Sequence, residues 1–162
     1  MILLMLHRNE ERPARSASKR GAESGARAAL VTGSSRGIGR GIAQRLAQDG
    51  ALVALHYGSR ETAAKETAEG MGEVGGKAFA IGAQLGVPGD AEALFAAFDA
   101  ELAACGAELG LDVLVNNATI SLPGHIGEAT EEEFGRTIAI NTKAPFLWIT
   151  GQRIDVTGGS ML

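Results

Sequence analysis

Arg27-Ala28-Ala29-Leu30-Val31-Thr32-Gly33-Ser34-Ser35-Arg36-Gly37-Ile38-Gly39 is the stretch on which the fold turns. It begins as a short apolar run without alternation, the pattern of a strand buried on both faces. Glycine ends the run. Gly37 to Gln48 then carries Ile38, Ile42 and Leu46 at helical spacing, which predicts a helix packed through those three residues and stopped at Gly50. A strand, a glycine-rich turn and a helix in that order have a physical use. Gly33 permits a tight turn off the strand, Gly37 lets backbone approach a pyrophosphate, and Gly39 lets the helix lie close to the sheet. The first turn of such a helix offers unpaired N–H groups and a positive dipole end to an anion.

The same grammar repeats along the chain. Ala51–Tyr57, Lys77–Ala83 and Leu111–Val115 read as further strands, the last led by Asp112. Glu61–Val74 and Pro88–Cys105 read as helices, the second with Leu94, Phe95, Phe98 and Leu102 at helical intervals, and Glu131–Thr150 contains another. Glu131, Glu132 and Glu133 follow Thr130 as the acidic first turn of that last helix. Strands alternating with helices predict a parallel sheet covered on both faces, with the glycine-rich turn at its carboxyl edge.

Composition narrows the function classes. The 162 residues suffice for one domain with a buried core, and aromatics at 4% leave that core to Ala, Val, Leu and Ile. One cysteine, Cys105, excludes an internal disulfide and suits a reducing cytoplasm. His7, His56 and His125 lack metal-ligand spacing, so no metal site is expected. Residues 1–26 read as a disordered leader: Met1–Leu6 is too short for a signal sequence, and Arg8, Arg12, Arg15, Lys19 and Arg20 follow it without aromatics. No stretch approaches the about 20 apolar residues of a membrane span. With a net charge of −4 for the whole chain and a more acidic remainder, neither nucleic acid nor a membrane is expected as a partner.

Thr32-Gly33-x-x-x-Gly37-Ile38-Gly39 resembles the cofactor motif of the short-chain dehydrogenases/reductases. Asn116-Asn117-Ala118 is similar to that family's Asn-Asn-Ala-Gly, and Asn141, within Ile140-Asn141-Thr142-Lys143-Ala144-Pro145-Phe146, to its structural and catalytic asparagine. The likeness runs from about Ala28 to Trp148. It implies a Rossmann-type doubly wound parallel sheet over residues 27–162 and a nicotinamide cofactor. It also implies reduction of a small carbonyl, or oxidation of the corresponding alcohol. By the same resemblance the cofactor is held by Gly33, Ser35, Arg36, Gly37, Ile38 and Gly39 in the turn, and by Tyr57, Ser59 and Arg60 after the second strand. Gln84 and Leu85 after the third strand, and Asn117 and Ala118 after the fourth, complete the set, with Asn141 catalytic.

NADP(H) is favoured over NAD(H). An NAD site usually places an acidic residue after the second strand; here His56-Tyr57-Gly58-Ser59-Arg60 has none. In the family a basic residue at the position of Arg36 commonly meets the 2′-phosphate, and Ser59 and Arg60 add donors a phosphate wants. Arg60 also reads as a solvated helix start. Gln84 stands where the family often has an acid, and can accept a hydrogen bond from an amino group. Thr119 replaces the family's glycine; a positive φ there would strain a β-branched residue.

The remaining chemistry is missing. Family catalysis needs a tyrosine as general acid/base, a lysine four residues later and a serine. The one tyrosine is Tyr57, followed four residues on by Glu61, and it ends the second strand. Ile149 to Ser160 resembles the family's carboxyl-terminal strand and Gly-Gly tail, yet it follows Trp148 directly. The reading is an internal deletion near 148 that leaves the sheet incomplete. It removes the fifth and sixth strands, the Ser and Tyr-x-x-x-Lys segment and the substrate loop. The last strand must then pair elsewhere, beside the fourth strand, or stay loose, and assembly of the family type is not expected. By family the chain is an NADP(H)-dependent oxidoreductase, impaired or inactive as it stands. The alternatives are a catalytically dead nucleotide-binding or interaction module and a non-functional fragment.

Overall fold

The structure, a computed structural model, describes residues 3–6, 27–122 and 124–148. Its strands are β1 (Leu3–Leu6), β2 (Ala28–Val31), β3 (Leu52–Tyr57), β4 (Lys77–Gly82) and β5 (Val113–Asn116). They form one sheet in the order β1-β5-β2-β3-β4. β2 to β5 are mutually parallel. Their order, third-second-first-fourth among the parallel strands, is that of a doubly wound sheet, with the switch point between β2 and β5. Helices α1 (Gly37–Gln48), α2 (Glu61–Glu73) and α3 (Asp90–Ala104) make the crossovers. After β5 come α4 (Glu131–Ile138), a π-helical turn over Ala139–Lys143, and α5 (Ala144–Leu147).

The period of two along each strand divides the core. Ala28, Leu30, Leu52, Ala54 and Leu114 face α3 and α5, where Leu94, Phe98, Leu102 and Trp148 meet them. Ala29, Val31, Val53, Leu55, Val113 and Val115 face the other way, onto Ala43 and Ala47 of α1 and Met71 of α2. Asp112 fixes the start of β2: its carboxylate accepts the Ala28 N–H at 2.8 Å, and its own N–H donates to the Ala28 carbonyl at 2.9 Å.

Two expectations are corrected. The face of α1 that packs is Gly39, Ala43 and Ala47, with Ile42 and Leu46 on its flanks, whereas Ile38 is 68% exposed. The helix lies too close to the sheet for a large side chain at its centre, so the small residues take the contact. The leader expected over residues 1–26 is corrected at Leu3–Leu6, which pairs antiparallel with β5, Leu3 opposite Asn116 and Leu6 opposite Val113. The outer side of β5 presents N–H and C=O groups that need partners, and a short extended segment supplies them. Residues 7–26 lie outside the described residues, as do residues 149–162 and with them the expected carboxyl-terminal strand. The edge beside β5 where that strand was expected is held by β1.

Leu30 is fully buried at the centre of the sheet. Leu30→Ala is expected to cost about 2–5 kcal/mol of unfolding free energy, read from urea denaturation. A loss below about 1 kcal/mol would contradict the central placement of β2.

Candidate functional site

At the carboxyl ends of the parallel strands lies a cleft of about 700 Å³, within the range of ligand sites. Gly33, Ser35, Arg36, Gly37, Ile38 and Gly39 line one side of it. Tyr57, Ser59, Arg60, Gln84 and Leu85 line the end over β3 and β4, and Asn117 and Ala118 the floor after β5. Every cofactor position expected from the sequence thus borders one cleft. Asn141 does not line it.

Thr32 and Asn117 join the two strands at the switch point. The Thr32 hydroxyl donates to the Val115 carbonyl at 3.3 Å and accepts the N–H groups of Asn117 and Ala118, each at 3.0 Å. That uses its one donor and both acceptor positions. The Asn117 amide Nδ2 returns two bonds, to the carbonyls of Thr32 at 2.8 Å and Gly33 at 3.1 Å. The packing leaves no room for a side chain at Gly33 or Gly39. A Cβ on Gly33, whose φ is +65°, would lie 2.8 Å from Ala118 Cα. One on Gly39 would strike Asn117 Nδ2 and lie 2.7 Å from the Gly33 oxygen. Gly39 therefore makes room for Asn117 as much as for the sheet.

The start of α1 is open. Its N-cap, Arg36, makes no side-chain capping bond, and its first turn has no acidic residue. A Cβ on Gly37 would meet nothing within 4 Å, so this backbone faces the cleft. Arg40 braces the turn from behind, donating from Nη2 to the Ser35 carbonyl at 2.6 Å. The charged residues that line the cleft are Arg36, Arg60 and Arg136, with no carboxylate among them. Ile38, exposed at the mouth, offers an apolar surface beside them.

Sequence reasoning weighed His56 only as a metal ligand. The structure buries it at the end of β3, where Nδ1 accepts the Gly33 N–H at 3.1 Å and Nε2 bonds the Ala83 carbonyl at 2.9 Å. Burial lowers its pKa below the ordinary histidine value, opposed by the bond to Ala83. No pattern in the sequence marks it, because both partners are backbone groups of other elements. Arg136, in α4, also reaches the cleft without having been singled out.

Tyr57 ends β3 with its ring against Gly82. Glu61, four residues on, pairs with Lys65 at 2.6 Å, which chiefly holds its carboxylate below the usual range. Asn141 sits in the π-helical turn, where its Oδ1 accepts the Ile120 N–H at 3.0 Å and its Nδ2 donates to the Ile120 carbonyl at 2.8 Å. It thereby sets the loop after β5, of which Thr119 and Ile120 border the cleft. Thr119 has no positive φ, since among the described residues only glycines do. Thr130 and Glu133 form the capping box that starts α4. Among the described residues no cluster of His, Cys, Asp or Glu could hold a metal, and no helix is long and apolar enough to cross a membrane.

A parallel sheet whose first crossover opens with a glycine turn at the switch point defines the dinucleotide-binding class of α/β proteins. A family model described as short chain dehydrogenase matches residues 27–152, and the chain belongs to that family. It is 40% identical over 118 residues to "Elsinochrome reductase 1" of Elsinoe fawcettii, covering 73% of this chain and 42% of that protein. With "Short chain dehydrogenase/reductase AacuN" of Aspergillus aculeatus the identity is 39%, at the same coverage. Among solved structures, landomycin C-6 ketoreductase LanV with bound NADP and rabelomycin superimposes with a TM-score of 0.72 at 50% identity, over 75% of this chain and 50% of that one. The reductase LugOII, described as catalysing keto-reduction at C1 in lugdunomycin biosynthesis, gives 0.72 at 49% identity, over 75% and 54%. The chain spans about half the length of the relatives it matches.

Thr32→Val keeps the shape of the side chain and removes its hydroxyl, leaving the N–H groups of Asn117 and Ala118 without their acceptor. We expect a loss of about 1–3 kcal/mol in denaturant unfolding, with Thr32→Ser close to wild type. Equal loss in both variants would show that the methyl group, not the hydroxyl, matters.

Proposed function

We propose that this chain binds NADP(H) in the cleft over β2, β3 and β5, as the cofactor-binding part of a carbonyl-reducing short-chain dehydrogenase fold. The observation that carries the reading is the uncapped start of α1 beside Gly37, in a cleft whose charged lining residues are all arginines. An anionic ligand fits such donors, and a diphosphate fits a helix N-terminus.

The residues divide the ligand among them. The turn from Gly33 to Gly39 holds the pyrophosphate. Arg36, with Ser59 and Arg60, takes the 2′-phosphate of NADP, in a cleft with no lining carboxylate to receive free ribose hydroxyls. Gln84 and Leu85 border the adenine, and Asn117 and Ala118 the ribose toward the nicotinamide. When bound, the cofactor supplies or accepts the hydride. Relatives carrying NADP in their solved structures support the choice of cofactor.

We propose further that this chain does not complete the reduction alone. Its one tyrosine, at the end of β3, has Glu61 rather than a lysine four residues on, and Asn141 is engaged with Ile120. Without the family's tyrosine and lysine, a developing alkoxide lacks that family's proton source.

Titration with NADPH, followed by fluorescence, tests the first statement, and absence of saturable binding overturns it. Arg36→Ala is expected to weaken NADPH by about tenfold or more and NADH far less, since one charge-assisted phosphate contact is lost; equal weakening would remove the 2′-phosphate assignment. Robust carbonyl reduction by the purified chain would overturn the second statement.

A further inference from the structure

We propose that His56 is a positioning residue for the cofactor turn: as the neutral Nε2–H tautomer it accepts the Gly33 N–H and donates to the Ala83 carbonyl, setting the pose of the glycine-rich turn. The inference rests on the NADP(H) reading for its consequence and on hydrogen-bond geometry for its substance. Gly33 N–H can only donate, so Nδ1, 3.1 Å away, must carry a lone pair. The Ala83 carbonyl can only accept, so Nε2, 2.9 Å away, must carry the proton. One tautomer satisfies both contacts, and the imidazolium satisfies only the second.

The contacts fall where the turn needs them. Gly33 has φ +65° and begins the departure from β2. Its N–H is held by His56 and its carbonyl by Asn117, so neighbouring peptide groups are pinned from both sides of the turn. The next residue is held by the same histidine, since Ser34 N–H donates to the His56 carbonyl at 3.0 Å. His56 thus does on the β3–β4 side of the turn what Asn117 does on the β5 side.

The surroundings keep the ring neutral. The residue is 2% exposed. Around the cleft the ionisable groups are Arg36 in the turn, Tyr57 at the end of β3, Arg60 before α2 and Arg136 in α4. Arg40 lies behind the turn on α1. Neither Glu61, paired with Lys65, nor Asp90, bonded to the Gly86 N–H, lines that cleft. Burial opposes an imidazolium, against the bond to Ala83, which favours it. The folded-state pKa is lowered, so between that value and the ordinary one near 6.5 the unfolded chain binds a proton that the folded chain does not. Stability contributed by neutral His56 is therefore full above the ordinary value and is lost as the pH falls below it.

Two substitutions separate the contacts. In His56→Asn, Oδ1 takes the place of Nδ1 and can accept from Gly33, while the donor to Ala83 is lost. In His56→Gln, the amide reaches toward Ala83, with no acceptor left at the place of Nδ1. At about pH 7.5 the Asn variant is expected to bind NADPH within about threefold of wild type and the Gln variant about tenfold or more weakly. Long-range ¹H–¹⁵N spectra of the wild-type ring are expected to show the Nε2–H form. Exchange of the Gly33 amide is expected to be slow in wild type and the Asn variant and fast in the Gln variant. The melting-temperature advantage of wild type over the Asn variant is expected to shrink as the pH is lowered below about 6.5. His7 and His125 are common to both chains and cancel in that comparison. A Gln variant that binds as tightly as the Asn variant, a ring protonated on Nδ1, or a Gly33 amide indifferent to both substitutions would overturn the proposal. Should wild type fail to bind NADPH, the cofactor reading falls, and the ring spectra and amide exchange still decide the role of His56.

Discussion

The reciprocal bonding of Thr32 and Asn117 is the constraint on which the site depends. Parallel strands at a switch point send their crossovers to opposite faces, so nothing in the sheet ladder itself holds the two departing loops together. Thr32 supplies a hydroxyl to the backbone after β5, and Asn117 supplies an amide to the backbone after β2. The loops are tied before either can be used for binding. Gly39 follows from this, because the Asn117 amide occupies the space a Cβ would need. The glycine pattern serves two purposes: one glycine opens backbone to the cleft, and others make room for the clasp that shapes it.

The scarcity of aromatic residues has the same origin. A helix that must reach the switch point closely packs through Gly39, Ala43 and Ala47, and the bulk is moved to the opposite face, where Phe79, Phe98 and Trp148 lie. The covering is uneven after β5. Helix α4 buries none of its residues, and Phe134, Ile138, Phe146 and Leu147 are exposed. Among the described residues, the Asn116 side-chain amide and the Trp148 indole N–H are buried without hydrogen-bond partners.

What was legible in the sequence is what is encoded locally. The four parallel strands announce themselves as short apolar runs, and α1 spans Gly37–Gln48 as its periodicity and Gly50 predict. The cleft-lining residues were legible because a glycine-rich turn and strand ends are local features, gathered by topology. Ile38 was misplaced because periodicity finds apolar residues, while close packing selects small ones. Strand β1 was missed because four apolar residues carry no pattern, and their pairing depends on an edge more than one hundred residues away. His56 was missed for the same reason, its partners being backbone groups 23 and 27 residues distant.

Asn141 shows how a residue type can be legible while its task is not. The resemblance marks it as catalytic, and the structure gives both polar ends of its side chain to the backbone of Ile120. That pairing copies one rung of a β-ladder, made by a side chain across a loop. A π-helical turn is rare and frequently falls at functional sites; here it carries the residue bonded to the loop after β5. The work of Asn141 in this chain is therefore to hold Thr119 and Ile120 at the cleft wall. It needs neither a tyrosine nor a lysine to do so, since both of its bonds are to backbone.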